Sequence, residues 1–315
     1  SHLRIIYADS SSVTLQNSAF PDMFAPGESP IGLDLDNISE HVKGEGSYPE
    51  NGHFIIRGNI FGSNAGHNDI IDVDSGTRPD PILQILDNVF LGSGDEQLDL
   101  GGDVYVAGNV FMNVNKDSEN NDRGYANSIS TGDAGNDTTI VVARNIFWDI
   151  DHAVNLKRGT STIFENNTVV KVHPDFEDNF GNPNVGSAIN LFVNEPGAEP
   201  GDGAYAANNI FWDVPRVFGN ADEPGETTTP LQLYNNLISS QLAETSVGAR
   251  PDTILSLGTG NFTGDPHFAG GINENFRLLP GSPARNMGLA GQDLGAGIPD
   301  AIAITGEPGA VTSST

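Results

Sequence analysis

"GHNDIIDVDSGTRPDPILQILDNVFLGSGDEQLDLGGDVYVAGNVF", residues 66–111, carries one message twice. An apolar–polar–apolar run ("IIDVD", 70–74; "QLDLG", 97–101) leads to a second phrase: a β-rich run, an asparagine and an apolar pair. That second phrase is "LDNVF" (86–90) and then "VAGNVF" (106–111). It recurs along the chain as "LQNSAF" (15–20), "IRGNIF" (56–61), "ARNIFWD" (143–149), "FENNTVV" (164–170), "AANNIFWD" (206–213) and "YNNLI" (234–238). The anchors are Asn17, Asn59, Asn88, Asn109, Asn145, Asn167, Asn209 and Asn236. Their spacing, about twenty to about forty residues, suits one coil of a solenoid plus loops of unequal length.

The first phrase recurs as "SISTG" (128–132), "AVNLK" (153–157), "AINLF" (188–192) and "PLQLY" (230–234). Strand alternation sends its apolar residues inward and its polar ones outward. The outward row is therefore Asp72, Asp99, Ser130, Asn155, Asn190 and Gln232. Two strand phrases per repeat, joined by Gly/Asn/Asp turns, describe an all-β, single-domain right-handed parallel β-helix. A left-handed hexapeptide helix would show stricter periodicity, and a propeller would need about four strands per blade. The anchor asparagine reads as a stacked residue whose amide serves backbone groups and the asparagine above it. About eight to ten coils are expected over 1–300, with long loops near 112–128, 173–186 and 193–203, and 263–297 as the terminal coil. Residues 301–315 read as a linker, and Ser1-His2 as a tag remnant, so the expectation is a module of a longer polypeptide that carries other domains.

Among 315 residues, Asp+Glu number 42 against 14 Lys+Arg, a formal net charge of −28. Such a field repels phosphate, which argues against nucleic acid or an anionic membrane surface as partner. No apolar run reaches spanning length, so no membrane insertion is expected. An acidic polymer would be repelled too, unless cations or a local basic patch intervene. The absence of cysteine excludes disulfides and thiolate metal sites.

The linked motifs of 66–111, with "NSISTGD", "ARNIFWDIDHAVNLKRG" and "LLPGSPA", resemble the right-handed parallel β-helix regions of large secreted bacterial proteins that also carry lamin-tail or spore-coat-kinase-like domains. The resemblance covers nearly the whole chain. It implies the fold and a secreted or cell-surface setting, and no particular activity. More distantly, the chain resembles pectate-lyase-like polysaccharide lyases and polygalacturonase-like hydrolases, without their clean calcium-plus-arginine or three-aspartate signatures. Where the nearer relatives read Asp-Asp before the "LDL" strand, this chain has Asp95-Glu96.

Consecutive coils stack about 4.8 Å apart. Asp72 and Asp99 then sit one rung apart, flanked by Asp69, Asp74, Asp95 and Glu96, with Asp34 and Asp36 extending the row. Calcium favours six to eight oxygen ligands, and a cation would remove the mutual repulsion of these carboxylates. A solvated acidic face is the competing reading. Zinc is disfavoured because His67 is the one nearby nitrogen ligand. Downstream, "DIDHAVNLKRG" brings His152, Lys157 and Arg158 together, with Arg144 and Lys171 close in sequence. In a uronate lyase a cation or arginine neutralises the substrate carboxylate, and Lys, Arg or His removes the adjacent proton. Lys157 is the expected base and Arg158 the neutralising group. A salt-bridged surface patch is the competing reading here, and His152 taken alone reads as a turn residue. Paired carboxylates one rung apart would also suit a retaining glycosidase. Trp148 and Trp212 read as packing or as a sugar-stacking platform. Two functions stand open: an enzyme acting on an extracellular polysaccharide, a cation-dependent uronate lyase first, or a non-catalytic glycan-binding or spacer module.

Overall fold

The computed structural model describes residues 3–23, 39–46, 52–64, 69–115, 126–131, 138–157, 159–174, 176–177, 183–191, 201–219, 230–239, 254–270 and 275–297. Within them the chain is nearly all β, with no α-helix and one short 3-10 turn, Leu289–Gly291. Three parallel sheets of eight, nine and nine strands run the length of the molecule. Setting aside a short antiparallel pair, Phe176–Glu177 with Pro183–Asn184, neighbours within a sheet are three strands apart in the chain until the last coil, where they are two apart. Each coil gives one strand to each sheet, except that the last, among the described residues, adds Ile254–Leu257 and Phe262–Thr263 to the second and third sheets alone, and the coils stack in a solenoid-like column.

The asparagine phrase is two strands rather than one. In "FIIRGNIF" the chain runs through Phe54–Arg57, bends at Gly58-Asn59 and resumes as Ile60–Phe61. The bend needs a left-handed residue just before the asparagine. Gly58 (φ 65°), Asp87 (55°), Gly108 (72°), Arg144 (57°), Asn166 (55°), Asn208 (59°), Asn235 (50°) and Gly260 (85°) fill that place. Gly, Asn and Asp tolerate this conformation, whereas arginine adopts it at a cost.

The asparagine itself closes the corner. The backbone N–H and Nδ2 of Asn88 both donate to Asn109 Oδ1 (2.9 and 3.0 Å), and its Nδ2 also reaches Ile56 O at 3.0 Å. The pattern repeats from Asn59 through Asn109, Asn145, Asn167, Asn209 and Asn236 to Asn261. Asn17 is not a rung of it. It takes the left-handed place (φ 52°), and Ser18 stands where the other coils have asparagine, donating its N–H to Asn59 Oδ1 at 3.0 Å.

In-register stacking also aligns the core. Phe20, Phe61, Phe90, Phe111 and Phe147 form a face-to-face column with centroid spacings of 4.7, 5.1, 4.9 and 4.9 Å. The column breaks at Val169, the partner of Phe147 on the next coil. Phe164 of the second sheet bridges the gap, stacked against Phe147 at 5.8 Å and Phe211 at 6.2 Å, and on the coil beyond Ala206 pairs with Phe164 while Phe211 pairs with Val169. Volume is conserved per coil even where the stacked identity is not.

Residues 264–270 and 275–297 are not a further coil. The last stacked strand is Phe262–Thr263, after which the chain folds back along the outside of the third sheet. Phe268, Phe276, Ala284 and Leu294 pack there on Ile146, Val170, Ile210 and Leu237. Three hydrogen bonds pin this strap across coils: Leu289 N to Asn208 Oδ1 (3.1 Å), Gly295 N to Asn208 O (2.8 Å) and Ala296 N to Thr168 Oγ1 (3.0 Å). Trp148 and Trp212 pack against the same cluster, which makes them packing residues. The loop expected near 112–128 is bounded more tightly, by strands Val110–Val114 and Asn127–Thr131. The one expected near 193–203 ends where Gly203–Ala207 begins. Asp34, Asp36, His67, Arg158, Phe192 and the tail 301–315 lie outside the described residues.

Candidate functional site

The first sheet carries the polar row. Its register reads Tyr7, Lys43, Asp72, Asp99, Ser130, Asn155, Asn190 and Gly219 on successive coils. Asp72 and Asp99 are thus neighbours one rung apart. Gln232 belongs elsewhere: it lies in the second sheet, paired with Tyr205, because this coil's first-sheet strand is Phe218–Gly219. Ser130, Asn155 and Asn190 are buried rather than solvated, with Asn190 Nδ2 donating to Asn155 Oδ1 at 3.0 Å.

A second row runs three residues earlier, through Glu96, Asn127, His152 and Ser187. Extending the register of Leu98 with Ile71 by two residues places Asp69 beside Glu96, and Ile70 N donates to Glu96 O at 3.3 Å. At the end of that row Arg4 stands opposite Glu40, with Nε 2.6 Å from Oε2.

Ligand atoms of Asp69, Asp95 and Glu96 lie within 4.8 Å of one another. Burial pushes the Asp69 carboxyl well above the usual carboxylate range, and the charges of Asp99, Glu96, Asp95 and Asp72 push the same way. Burial and then the charge of Asp95 raise Glu96 likewise. The Lys157 charge and the hydrogen bond from Asn127 Nδ2 to Glu96 Oε1 (3.1 Å) oppose them. Asp72 has a different environment. It forms an ion pair with Lys43, and burial still outweighs that partner and raises its pKa. Asp74 sits at the exposed end of its strand, opposite the backbone of Gly101. The six acids therefore separate into a converging group of three, with Asp99 close enough to act on Asp69, a salt-bridged Asp72 and a peripheral Asp74.

The basic candidates disperse. Lys157 is half-buried, and its charge reaches Glu96. His152 is fully buried inside strand His152–Asn155. Its Nδ1 accepts the Ser187 N–H at 3.1 Å, which leaves the ring proton on Nε2, and burial pulls its pKa down to about 3. A neutral, fully buried imidazole cannot reach a polymer. Arg144 turns to Tyr105, its Nη2 donating to the phenol oxygen at 3.1 Å. Lys171 pairs with Asp149 at 2.8 Å, beside His173, which is clamped between Asp149 (2.6 Å) and Asp151 (2.7 Å). That clamp outweighs burial and raises His173 to about 9.

Sequence reasoning missed Arg4, Glu40, Lys43 and Asn127. A signal for Lys43 was present: "SEHVKGE" precedes Asn59 as "IIDVD" precedes Asn88. Comparison with protein-family models and with curated proteins returns no match for this chain. Among the described residues no helix is long and apolar enough to cross a membrane.

Proposed function

We propose that this chain is a right-handed parallel β-helix module of a secreted or cell-surface protein, kin to the lamin-tail and spore-coat-kinase-associated group. It engages an extracellular acidic polysaccharide through a hard cation, and calcium fits the all-oxygen ligand set best. The observation that carries the reading is the convergence of Asp69, Asp95 and Glu96 on adjacent coils. Like charges gathered at a partly buried place are costly unless protonated or shared by a cation. A cation would also bridge this very acidic chain to an anionic polymer that its own field repels. For a lyase, Lys157 is the candidate base.

The test is a calcium titration followed by a polymer panel of alginate, pectate, ulvan and glycosaminoglycans. Calcium is expected to raise the melting temperature through ligand linkage and to release protons from the site. Calcium-dependent retention on at least one immobilised polymer should follow. Indifference to calcium in both assays would sink the proposal.

The upward shifts of Asp69 and Glu96 favour a second reading. A carboxyl that keeps its proton beside another carboxylate is the pairing that glycoside hydrolysis uses. Release of new reducing ends without unsaturated-uronate absorbance would select hydrolysis. Unsaturated-uronate absorbance would select elimination, and retention with neither product would select a binding module.

A further inference from the structure

We propose that the outer face of the second sheet is a self-association surface, on which a second copy of this chain docks across a two-fold axis. The proposal stands apart from the cation reading above and uses none of its residues.

The three sheets present different outer faces. The first carries the polar rows, and the third is packed under Phe268, Phe276, Ala284 and Leu294. On the second sheet the outward row over coils two to six reads Ile55, Gln84, Tyr105, Val141 and Ile163. Four of these five are aliphatic or aromatic, all are half-buried or exposed, and Ile163 is 36% exposed. An apolar stripe on the outside of so acidic a chain gains from being covered. Four charges run beside it. Arg57 and Glu165 stand two residues further along the strands of coils two and six. Asp87 and Arg144 hold the left-handed corner on coils three and five. The signs therefore read positive, negative, positive, negative over coils two, three, five and six. Arg57 Nη2 donates to Gln16 Oε1 and Arg144 Nη2 to the Tyr105 phenol oxygen, each at 3.1 Å, so both arginines rest on neutral groups. Asp87 and Glu165 have no ion pair among the described residues.

This order is complementary to itself about coil four. A two-fold axis parallel to the strands at Tyr105 keeps each position along the strand and reverses the order of coils. Coil two then faces coil six of the second copy, and coil three faces coil five. Arg57 meets Glu165, Arg144 meets Asp87, Ile55 meets Ile163, and Tyr105 meets itself. The Arg144 head already leans to coil four through Tyr105, and the Asp87 carboxylate lies against Gly108 of the same coil. Within one chain Arg57 and Glu165 are four rungs apart, about 19 Å, too far to pair with each other. Asp103, just before the coil-four strand, is paired with Arg78 at 3.2 Å and adds no bare charge at the axis. Seven coils overlap, a face of roughly 30 Å by 15 Å. That is smaller than the ~800 Å² per partner of a standard interface, which sets the expectation of a weak, concentration-dependent dimer.

The test is sedimentation velocity of the full chain over a wide concentration range at fixed ionic strength, with thermal melting to verify that each variant is folded. The wild type is expected to pass from monomer to dimer and no further. Arg57→Glu and Glu165→Arg should each weaken the dimer about tenfold, because each reversal acts at two symmetric contacts. Glu165→Arg lowers the net negative charge, so general repulsion cannot explain a weakening by it. Both reversals in one chain should restore association, and an equal mixture of the two single variants should form the mixed dimer. The chain has no cysteine, so a single introduced thiol can be joined only to that of another copy. Tyr105→Cys, on the axis, should be captured by a thiol cross-linker spanning about 10 Å, and Ile55→Cys, at least about 19 Å from its own copy, should not. A wild type that stays monomeric throughout overturns the proposal and leaves the face to another protein or a glycan. Growth beyond a dimer, or a folded double variant that associates no better than the single ones, overturns the two-fold docking. Unchanged association by Ile163→Asp, or equal capture of Ile55→Cys and Tyr105→Cys, overturns the assignment of this face.

Discussion

The asparagine ladder and the acidic rows are built on the same principle and have opposite energetics. Both repeat one kind of polar side chain, in register, on successive coils. The amide of asparagine is donor and acceptor at once, so each rung satisfies the next: Asn109 gives two N–H bonds to Asn145 Oδ1, and Asn145 does the same to Asn167. An ionised carboxylate only accepts. Repeating it gains no hydrogen bond and adds repulsion, so each acid needs a different solution. Glu40 has Arg4, Asp72 has Lys43, and Asp69 and Glu96 shift upward in pKa. Repetition stabilises a stack when the repeated group is complementary to itself. Where it is not, basic partners and upward-shifted carboxyls must offset the repulsion.

The largest effect should come from moving the acidic chemistry into the ladder. Asn145→Asp keeps the shape, loses the Nδ2 donor to Val106 O and Asn167 Oδ1, and buries a charge with no exposure. A loss on the order of 4 kcal/mol is expected at neutral pH, shrinking in acid as the carboxyl protonates, measured by urea denaturation.

The next test concerns a place where acids are repeated beside bases. His173 is raised to about 9 in the fold from an ordinary value of 6.5. A raised histidine stabilises fully below its unfolded pKa, and that stabilisation is lost as pH rises through the folded value. Stability of the wild type should therefore fall between pH 6.5 and pH 9 by about 2 kcal/mol, allowing for partial exposure. His173→Gln should flatten that part of the pH profile, and an unchanged slope would remove the clamp as its cause.

The converse exchange is Asp69→Asn, which brings an amide into the acidic row. An acid whose folded pKa lies above its unfolded one destabilises the fold once pH exceeds the unfolded pKa. In calcium-free buffer at neutral pH the variant should gain on the order of 1 kcal/mol, and lose any stabilisation by calcium. A folded variant less stable than the wild type without calcium would contradict the repulsion.

The smallest effect sharpens the ladder at its end. Ser18 supplies one N–H to Asn59 Oδ1 and spends its hydroxyl on Gln16 O at 3.1 Å. Ser18→Asn adds the missing amide donor toward Asn59, and a gain within about 1 kcal/mol is expected from thermal or denaturant unfolding. A loss would mean that the first coil cannot adopt the corner geometry of the others.

By itself the sequence determined the repeating unit. An asparagine after a left-handed residue, then an apolar pair, is a local signature, and in-register stacking of identical coils turns it into a ladder and a phenylalanine column. The pairing of Asp72 with Asp99 was legible for the same reason, because both occupy the same place in the same phrase. Tertiary structure alone decided what depends on matching coils separated by 21 to 42 residues. It placed Lys43 against Asp72, moved Gln232 to another sheet, buried His152 and laid Phe268, Phe276, Ala284 and Leu294 beside Trp148 and Trp212. Loops of unequal length hide which phrase belongs to which sheet. The register is set by backbone hydrogen bonds between coils, and those have no local signature in the chain.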